Sequence, residues 1–334
     1  MTGLEKQDIQ LIASLDYDWS KLDGKTVLIS GGTGFVGQFL IEVFKYRNSC
    51  CGNNIRVISL SRRGGESESD VLYLKADVTK PVVIEEKVDY VLHLASNTHP
   101  KQYSSNPVGT VTTNIFGTYN LLTLAVEKRA ERFLLASSVE IYGDGSDNPM
   151  AEDFCGYIDC NTSRAGYNEA KRLSESLCQS FIAQYGIDCV IARLARCFGA
   201  DKKEDSKALA QFLGCALRGQ DVVLKSEGKQ RYSYCYVADA ASGIIKVLLD
   251  GACGEAYNVS GDDEGKTLGD YARLIAGLGN VKAVFDISGA DNQGVSRAVR
   301  ALVNCDKIKA IGFKPQYTVS DSIARTYKIL KERQ

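Results

Sequence analysis

Short apolar runs alternate with helical apolar patterns over the first two hundred residues. The runs are typical of parallel strands buried on both faces. They lie at residues 27–29, 55–60, 71–78, 89–95, 133–136 and 187–192. The segments between them carry apolar residues at helical spacing, above all residues 35–45, 107–127 and a stretch from about residue 165. Strands that alternate with helices in this way predict an α/β fold of Rossmann type, with a doubly wound parallel sheet.

The same pattern divides the chain into three parts. Residues 1–24 predict a short helical extension before the first strand. Residues 25–195 and about 232–260 predict the Rossmann-type domain, because we expect the chain to return to the main sheet through residues 236–239 and 255–259. We predict a smaller C-terminal substrate-binding lobe over residues from about 196 to 231 and from 261 to 334. A cleft between the two lobes is where we expect substrate to bind.

Composition excludes several classes of protein. The net charge of −1 gives no reason to expect nucleic acid or an anionic membrane as a partner. Only two histidines are present, and the eleven cysteines lack zinc spacing, so we predict no metal site. No secretory signal precedes the cysteines, and no apolar run reaches the length of a membrane span. We therefore expect a cytoplasmic protein.

Gly31, Gly34 and Gly37 fall at three-residue intervals between the first strand and the first long helix. Such a turn lets the backbone approach a pyrophosphate, and the N–H groups at the helix start point at it. A glycine triplet alone also marks ordinary turns. Its place after a buried strand and before an amphipathic helix predicts a dinucleotide cofactor.

The end of the second strand indicates which dinucleotide is bound. An acid at this position would hold the ribose 2′-hydroxyl of NAD. The strand instead ends in Ser61-Arg62-Arg63, where two guanidinium groups could bind a 2′-phosphate. The alternative is that both arginines are solvated loop residues. The residues favour NADP over NAD.

Polar residues also follow the third and fourth strands. A short side chain at Asp77-Val78 could meet the adenine amino group, and ligands of open α/β sheets gather at these carboxyl ends. His93 lies inside a strand and is predicted to be a packed core residue. His99 lies in the following loop, where it could touch substrate.

Tyr167 and Lys171 lie four residues apart on a predicted helix, and so on one face of it. A tyrosine that shuttles protons near pH 7 needs about 4 kcal/mol of stabilisation of its phenolate. An exposed Lys–Tyr pair would supply under about 1 kcal/mol. The pair must therefore be shielded from water if it is catalytic; alone, it would be a surface pair.

Together these motifs resemble a known family. The glycine turn, His93-Leu94-Ala95-Ser96, Ser138 four residues before Tyr142-Gly143, and Tyr167 with Lys171 resemble the extended short-chain dehydrogenase/reductases, the NAD(P)-dependent epimerase/dehydratase family that acts on nucleotide sugars. The likeness runs from about residue 25 to the C-terminus. Within the family, the chain looks most like UDP-glucuronate decarboxylases.

The resemblance implies a role for each catalytic candidate. Tyr167 would be the general acid/base, Lys171 its charge partner and a ribose ligand, and Ser138 the orienting hydroxyl. Glu140 matches a carboxylate that serves proton chemistry beside the ketone; its alternative is a structural hydrogen bond at the strand end. Val139 stands where dehydratases carry an aspartic acid, so ordinary dehydration is disfavoured.

The resemblance also implies binding residues. The cofactor set is Gly31, Thr33, Gly34, Phe35, Val36, Gly37, Ser61, Arg62, Arg63, Asp77, Val78, Leu94, Ala95, Ser96, Asn114, Tyr167 and Lys171. The substrate set is Thr98, His99, Arg196 and Arg231. Arg196 replaces an asparagine that many relatives use near the diphosphate. Arg231 stands one residue before the usual phosphate-contacting arginine, which leaves its role open. Relatives of this kind dimerise through the helices carrying Asn114 and Tyr167, so we expect a homodimer.

Three outcomes remain open from the sequence. One is decarboxylation or epimerisation of a nucleotide-diphosphate sugar with an internally recycled cofactor. Another is a net NADPH-dependent reduction of a ketone, for example to a CDP-linked sugar alcohol, which Arg62 and Arg63 favour. The third is a non-catalytic NADP-binding regulator of the same fold. The presence of Ser138, Tyr167 and Lys171 argues against the regulator.

Overall fold

The strands predicted from the sequence are present, and further short strands follow them. The computed structural model of the chain describes residues 1–97, 105–144, 149–201, 207–287 and 300–334. Its strands are β1 (Thr26–Ser30), β2 (Arg56–Ser61), β3 (Val71–Lys75), β4 (Tyr90–His93), β5 (Arg132–Ser138), β6 (Cys189–Leu194), β7 (Arg196–Phe198), β8 (Val222–Leu224), β9 (Arg231–Tyr232), β10 (Tyr234–Tyr236), β11 (Ala256–Val259), β12 (Ala283–Phe285) and β13 (Arg300–Ala301).

The helices connect these strands. They are α1 (Gly3–Ala13), α2 (Phe35–Cys51), α3 (Pro107–Glu127), α4 (Ala165–Tyr185), α5 (Ala208–Leu217), α6 (Val237–Asp250), α7 (Leu268–Gly279), α8 (Asp306–Ala310) and α9 (Val319–Glu332), with 3₁₀ turns at Trp19–Leu22 and Val139–Tyr142. Among the residues described, no helix combines the length and the apolar character needed to cross a membrane.

Seven strands form one parallel sheet in the order β11-β6-β5-β4-β1-β2-β3. The chain builds outward from β1 on one side and from β4 on the other. The strand order therefore reverses between β1 and β4, and ligands of such sheets bind at the carboxyl ends of strands at this switch point. The predicted α/β fold with a doubly wound parallel sheet is confirmed.

Each face of this sheet is buried. Val27 and Ile29 pack into a core shared with α1, α2 and α6, whereas Leu28 faces a second core shared with α3 and α4. Side chains alternate between the faces of a strand, so a strand covered on both sides needs apolar residues throughout. This explains the continuous apolar runs in the sequence.

The remaining strands form three short parallel pairs, β7 with β10, β8 with β12 and β9 with β13. Most of these strands lie within residues 196–231 and 261–334, the segments that we propose as the substrate-binding lobe. The return to the main sheet through residues 255–259 is confirmed, since β11 pairs with β6. The predicted return through residues 236–239 is wrong, because β10 ends at Tyr236 and pairs with β7 instead of the main sheet. Residues 237–250 form α6, in which apolar residues repeat at helical spacing at positions 237, 240, 241, 244, 245 and 248.

The N-terminal extension is anchored to the end of the chain. Thr2 and Glu5 form a capping box at the start of α1. Asp8 is 1% exposed and pairs with Nε of Arg325 on α9 at 2.6 Å. The hydroxyl groups of Tyr236 and Tyr317 donate to the same carboxylate at 2.7 and 2.6 Å. The predicted helical extension is therefore held against the rest of the chain by the buried carboxylate of Asp8 and its three hydrogen-bond donors.

Candidate active site

The glycine turn joins the carboxyl end of β1 to α2. Gly31 has a φ of +76°, and a Cβ on it would lie 2.9 Å from the backbone nitrogen of Ala95. Gly34 is the N-cap residue of α2, and no side chain caps the helix there. The first turn of α2 therefore presents its amide dipoles to an anion. The other residues predicted for this turn are partly buried: Thr33, Phe35 and Val36.

Gly37 holds α2 against the turn. A Cβ on Gly37 would lie 2.4 Å from the carbonyl oxygen of Gly31 and 2.8 Å from Cα of Gly32. We expect Gly37→Ala to lower the free energy of unfolding by about 1–3 kcal/mol and to weaken dinucleotide binding, because the helix must move away from the turn. Denaturant unfolding and fluorescence titration with NADPH measure both effects.

Gly277 on α7 provides the matched control, since a Cβ there meets no atom within 4 Å. Gly277→Ala should keep or slightly raise stability, because alanine favours a helix interior by up to about 1 kcal/mol. Unchanged stability and NADPH affinity in Gly37→Ala would show that the close approach is not needed.

The predicted 2′-phosphate residues follow β2. Arg62 and Arg63 are exposed, and the N–H of Gly64 donates to Oγ of Ser61 at 3.0 Å, which turns the chain back after the strand. Arg62 also reaches the edge where β3 ends, since its charge is one of the influences on Asp77. The structure therefore places Ser61, both arginines and Asp77 at one edge of the sheet.

Asp77 and Val78 differ in their surroundings. The N–H and hydroxyl of Thr79 donate to the Asp77 carboxylate at 3.0 and 2.9 Å. The hydrogen bond from the Thr79 N–H is the main reason that the pKa of Asp77 lies below its usual value. Val78 is buried, and its carbonyl accepts from Nδ2 of Asn120 on α3 at 2.8 Å. β3 ends at Lys75, so both residues lie in the turn after the strand rather than within it.

His93 ties the ends of β1 and β4 together. Oγ of Ser30 lies 2.7 Å from Nδ1 of His93 and accepts from the N–H of Ala95 at 3.2 Å. The Ser30 hydroxyl therefore links the imidazole on β4 to the backbone that follows it. Burial, with a smaller effect from the charge of Lys171, lowers the pKa of His93 to about 3. His93 is 1% exposed, which confirms its prediction as a packed core residue.

The loop after β4 contacts α3. Leu94 donates its N–H to the carbonyl of Ser30 at 3.1 Å. Oγ of Ser96 donates to Oδ1 of Asn114 at 2.9 Å, and Nδ2 of Asn114 donates to the carbonyl of Thr110 at 2.8 Å. Ser96 and Asn114, both predicted cofactor residues, are thus in contact. Thr98 and His99 lie outside the described residues.

The predicted catalytic residues lie at the end of β5 and the start of α4. Ser138 is the last residue of β5, and its Oγ accepts from the N–H of Glu140 at 3.2 Å. Tyr167 and Lys171 are 5% and 3% exposed, so the pair is shielded from water as its chemistry requires. Nζ of Lys171 donates to the carbonyl of Ala136 on β5 at 2.8 Å. Burial lowers the pKa of Lys171 to about 8.

Two side chains fasten α4 to the turn that follows Ser138. Nδ2 of Asn168 donates to the carbonyl of Glu140 at 2.7 Å, and Nε of Arg172 donates to the carbonyl of Ile141 at 2.7 Å. Together with the Lys171 bond to β5, these contacts hold the first turns of α4 against the strand end. These three contacts place the part of α4 that carries Tyr167 and Lys171 beside the strand end that carries Ser138.

Glu140 lies between two arginines. Its Oε2 is 3.1 Å from Nη2 of Arg164, and its Oε1 is 3.5 Å from Nη2 of Arg196. The Arg196 guanidinium also stacks over the ring of Tyr232, 3.9 Å from its centroid. The structure therefore joins Glu140 and Arg196, which the sequence assigned to separate roles, in one charged cluster.

Arg231 lies on β9, close to the strand that pairs with β7. The N–H of Arg196 donates to the carbonyl of Ser233 at 3.2 Å, which brings the two segments together. Nη2 of Arg231 pairs with Asp263 at 2.6 Å, whereas its Nε is buried and has no hydrogen-bond partner among the described residues. Arg231 is thus engaged by an acid that the sequence did not single out.

Sequence reasoning missed the partners of these residues. Arg164 belongs to the segment around Tyr167 that carries the family resemblance, but the sequence assigns it no role, and its ion pair with Glu140 was not predicted. The buried pair of Glu175 and Arg193 was also overlooked, yet Glu175 follows Lys171 by four residues, a signal for a shared helix face.

A cavity of about 370 Å³ lies elsewhere, between α1, α2 and α9. Its lining includes Glu5, Phe39, Tyr236 and Arg333 but not Ser138, Tyr167 or Lys171. Phe35 of the glycine turn also lines the cavity, so the cavity reaches that turn but not the predicted catalytic residues. Within the described ranges, no group of three or more His, Cys, Asp or Glu side chains could hold a metal ion.

The chain is similar to a known protein family and to curated members of it. The model of the "NAD dependent epimerase/dehydratase family" matches residues 27–260. UDP-glucuronic acid decarboxylase 1 of Danio rerio is 32% identical over 267 residues, which are 78% of this chain and 62% of the relative. UDP-glucuronic acid decarboxylase 3 of Arabidopsis thaliana is 34% identical over 231 residues, 66% of each chain. The chain thus spans a little under two thirds of the length of these curated relatives.

Solved structures share the fold. An epimerase from Methanothermobacter thermautotrophicus superimposes with a TM-score of 0.81 at 23% identity, over 99% of this chain and 96% of that one. The dTDP-glucose 4,6-dehydratase from Streptomyces venezuelae with NAD and TYD bound has a TM-score of 0.79 at 22% identity, over 92% and 97%. Both likenesses support the Rossmann-type architecture.

Proposed function

The chain belongs to the NAD dependent epimerase/dehydratase family, and from this premise we propose that it is an NAD(P)-dependent enzyme acting on a nucleotide-activated sugar. The observation that carries the proposal is that Ser138 ends β5 while Tyr167 and Lys171 are buried on α4, with Nζ of Lys171 donating to the carbonyl of Ala136 on the same strand. This group lies two strands from the glycine turn in the sheet order. A sensor of cofactor would have no need of such a group.

The residues at the switch point fit a dinucleotide. The helix start of α2 has no side-chain cap, and the close approach of Gly31 to Ala95 leaves no room for a larger residue. These features suit a pyrophosphate at the turn. Arg62 and Arg63 favour NADP, although the Streptomyces venezuelae dehydratase holds NAD. When bound, the nicotinamide accepts or returns a hydride.

Tyr167 is proposed to hold and move the proton of the sugar carbinol. The ammonium of Lys171, one helical turn away, would stabilise the phenolate in a site with little water. Oγ of Ser138 accepts from the N–H of Glu140 and can still donate its own proton to the sugar oxygen. The two hydroxyl groups would thereby orient the carbinol between them.

The charged cluster bears on the net reaction. Glu140 forms ion pairs with Arg164 and Arg196. We propose that its carboxylate serves proton transfer beside the ketone of the oxidised sugar. We propose that Arg196 and Arg231 serve the substrate diphosphate. With Val139 in place of an acid, and with UDP-glucuronic acid decarboxylases among the relatives, decarboxylation or epimerisation with a recycled cofactor is the favoured outcome.

Net reduction of a keto sugar by NADPH, for example to a CDP-linked sugar alcohol, is the second candidate, because Arg62 and Arg63 suit a cofactor that is consumed.

One experiment distinguishes the recycling enzyme from the reductase. Purified protein is incubated with UDP-glucuronic acid and a trace of NAD⁺ or NADP⁺, and separately with NADPH and nucleotide-linked keto sugars. Release of CO₂ without net change in cofactor supports recycling; stoichiometric NADPH consumption supports reduction. Tight NADPH binding with no turnover of any nucleotide sugar would favour the regulator instead.

We further propose a homodimer that forms through α3 and α4. Large apolar side chains on these helices are exposed: Val108, Phe116, Tyr119, Leu173 and Tyr185. The two helices already contact each other through Thr118 and Ser174, whose hydroxyl oxygens are 3.1 Å apart. Pairing with a second copy would bury this apolar surface. Analytical ultracentrifugation would contradict the dimer if it gave the mass of a single chain.

A further inference from the structure

A buried ion pair lies behind the proposed catalytic lysine. Nε of Arg193 on β6 is 3.1 and 3.3 Å from the two carboxylate oxygens of Glu175 on α4, and Nη2 is 2.8 Å from Oε2. Oγ of Ser137 donates to Oε1 at 2.5 Å. Both charged side chains are 11% exposed. Glu175 therefore joins α4 to the last residues of β5 and β6.

Glu175 lies on the same helix as Lys171. The two residues are one helical turn apart, and both are buried toward the sheet. Burial disfavours the charged form of Lys171 and lowers its pKa, and the negative charge of Glu175 is the largest influence in the opposite direction. The Glu175 carboxylate therefore favours the charged form of the lysine that the proposed reaction needs.

The other groups near Lys171 carry no such charge. His93 on β4 is neutral because its pKa is lowered to about 3. Cys178, further along α4, remains a thiol because its hydrogen bond with Cys189 and its burial raise its pKa. Arg193 on β6 faces Glu175 rather than Lys171, and Tyr167 is the proposed partner. Among these groups, Glu175 therefore supplies the negative charge near Lys171.

We propose that Glu175 is a positioning residue: its carboxylate keeps Lys171 in the ammonium form and, through Ser137, fixes the strand end that carries Ser138. The inference rests on the proposed function of Tyr167 and Lys171. Stability alone does not explain a buried ion pair, because replacing such a pair with apolar residues often leaves the free energy of unfolding unchanged or raises it. The negative charge of Glu175, one helical turn from the buried ammonium of Lys171, can stabilise that ammonium, and this would explain why the pair is present.

Opposite substitutions in the pair test the proposal. Glu175→Gln keeps the shape and the Ser137 contact but removes the negative charge, so Lys171 should lose its proton at a pH lower by about one unit or more. Arg193→Gln removes the neighbouring positive charge, so the titration of Lys171 should stay or move to higher pH. ¹³C NMR of the lysine ε-carbons follows this titration without substrate, with Lys171→Arg identifying the signal.

The pH profile of UDP-glucuronic acid turnover provides the second readout. In Glu175→Gln the loss of activity at high pH should begin about one pH unit lower, and Glu175→Asp, which retains the charge, should restore much of the profile.

If a single variant does not fold, the double variant Glu175→Leu with Arg193→Met leaves no unpaired charge, and the pKa of its Lys171 should still be lower than in the unsubstituted protein. A shift in the same direction in Glu175→Gln and Arg193→Gln, or no shift in either, would overturn the proposal. Absence of turnover in the unsubstituted protein would reject the proposed function while leaving the NMR result decisive for Glu175.

Discussion

Tyr167→Phe is expected to lower turnover by about 10²- to 10⁴-fold while NADPH affinity changes by about twofold or less. The substitution removes one oxygen from a side chain that is 5% exposed, so packing against the sheet is largely kept. What is lost is the group that we propose takes the carbinol proton, and water has little access to replace it. Steady-state rates and fluorescence titration of NADPH measure the two quantities on one preparation.

Tyr185→Phe is the matched control, because Tyr185 ends the same helix and is 52% exposed. It should leave rate and affinity unchanged. Tyr167→Phe enzyme that retained a tenth or more of its activity would remove Tyr167 from the chemistry, whatever the reaction proves to be. An equal loss of NADPH affinity and rate would instead indicate a role in binding.

The elements that local patterns define were predictable. Residues 107–127 were predicted as a helix and α3 spans Pro107–Glu127, because Asn106 and Pro107 mark its start and apolar residues run through it. The run at residues 27–29 and the glycine turn likewise depend on neighbours in sequence. Residues 236–239 misled the prediction because a short apolar run fits a strand or a buried helix equally well.

Contacts between distant segments could not be predicted. Asp8 and Arg325 lie at opposite ends of the chain, and nothing near Asp8 in the sequence signals a buried ion pair. The contact of Glu140 with Arg164 and Arg196 likewise depends on how the end of β5, the start of α4 and β7 meet in space. Sequence spacing identifies which side chains carry chemistry, whereas the fold decides which of them neutralise each other.

We expect two exposed arginines, Arg62 and Arg63, to decide the choice between NADP and NAD. Replacing Arg62 and Arg63 together by Ala is expected to weaken NADPH binding by about 10- to 100-fold and to leave NADH binding within about twofold. The reason is that only NADPH carries a 2′-phosphate, and guanidinium groups bind phosphate through paired charge-assisted hydrogen bonds. Isothermal titration with each nucleotide measures the difference. Because the site is open to solvent, the advantage of NADPH in the unsubstituted protein should also shrink as salt is raised.

Arg56→Ala is the appropriate control. Arg56 is an exposed arginine at the amino end of the same strand, so its removal changes the net charge but not the carboxyl edge where ligands of parallel sheets bind. It should reduce the affinity for NADPH and NADH little and equally. If the double variant lost affinity for both nucleotides by the same factor, the arginines would be acting through general charge, and the preference for NADP would have to be withdrawn. Single substitutions then show whether Arg62, which also acts on Asp77, or the neighbouring Arg63 makes the larger contribution.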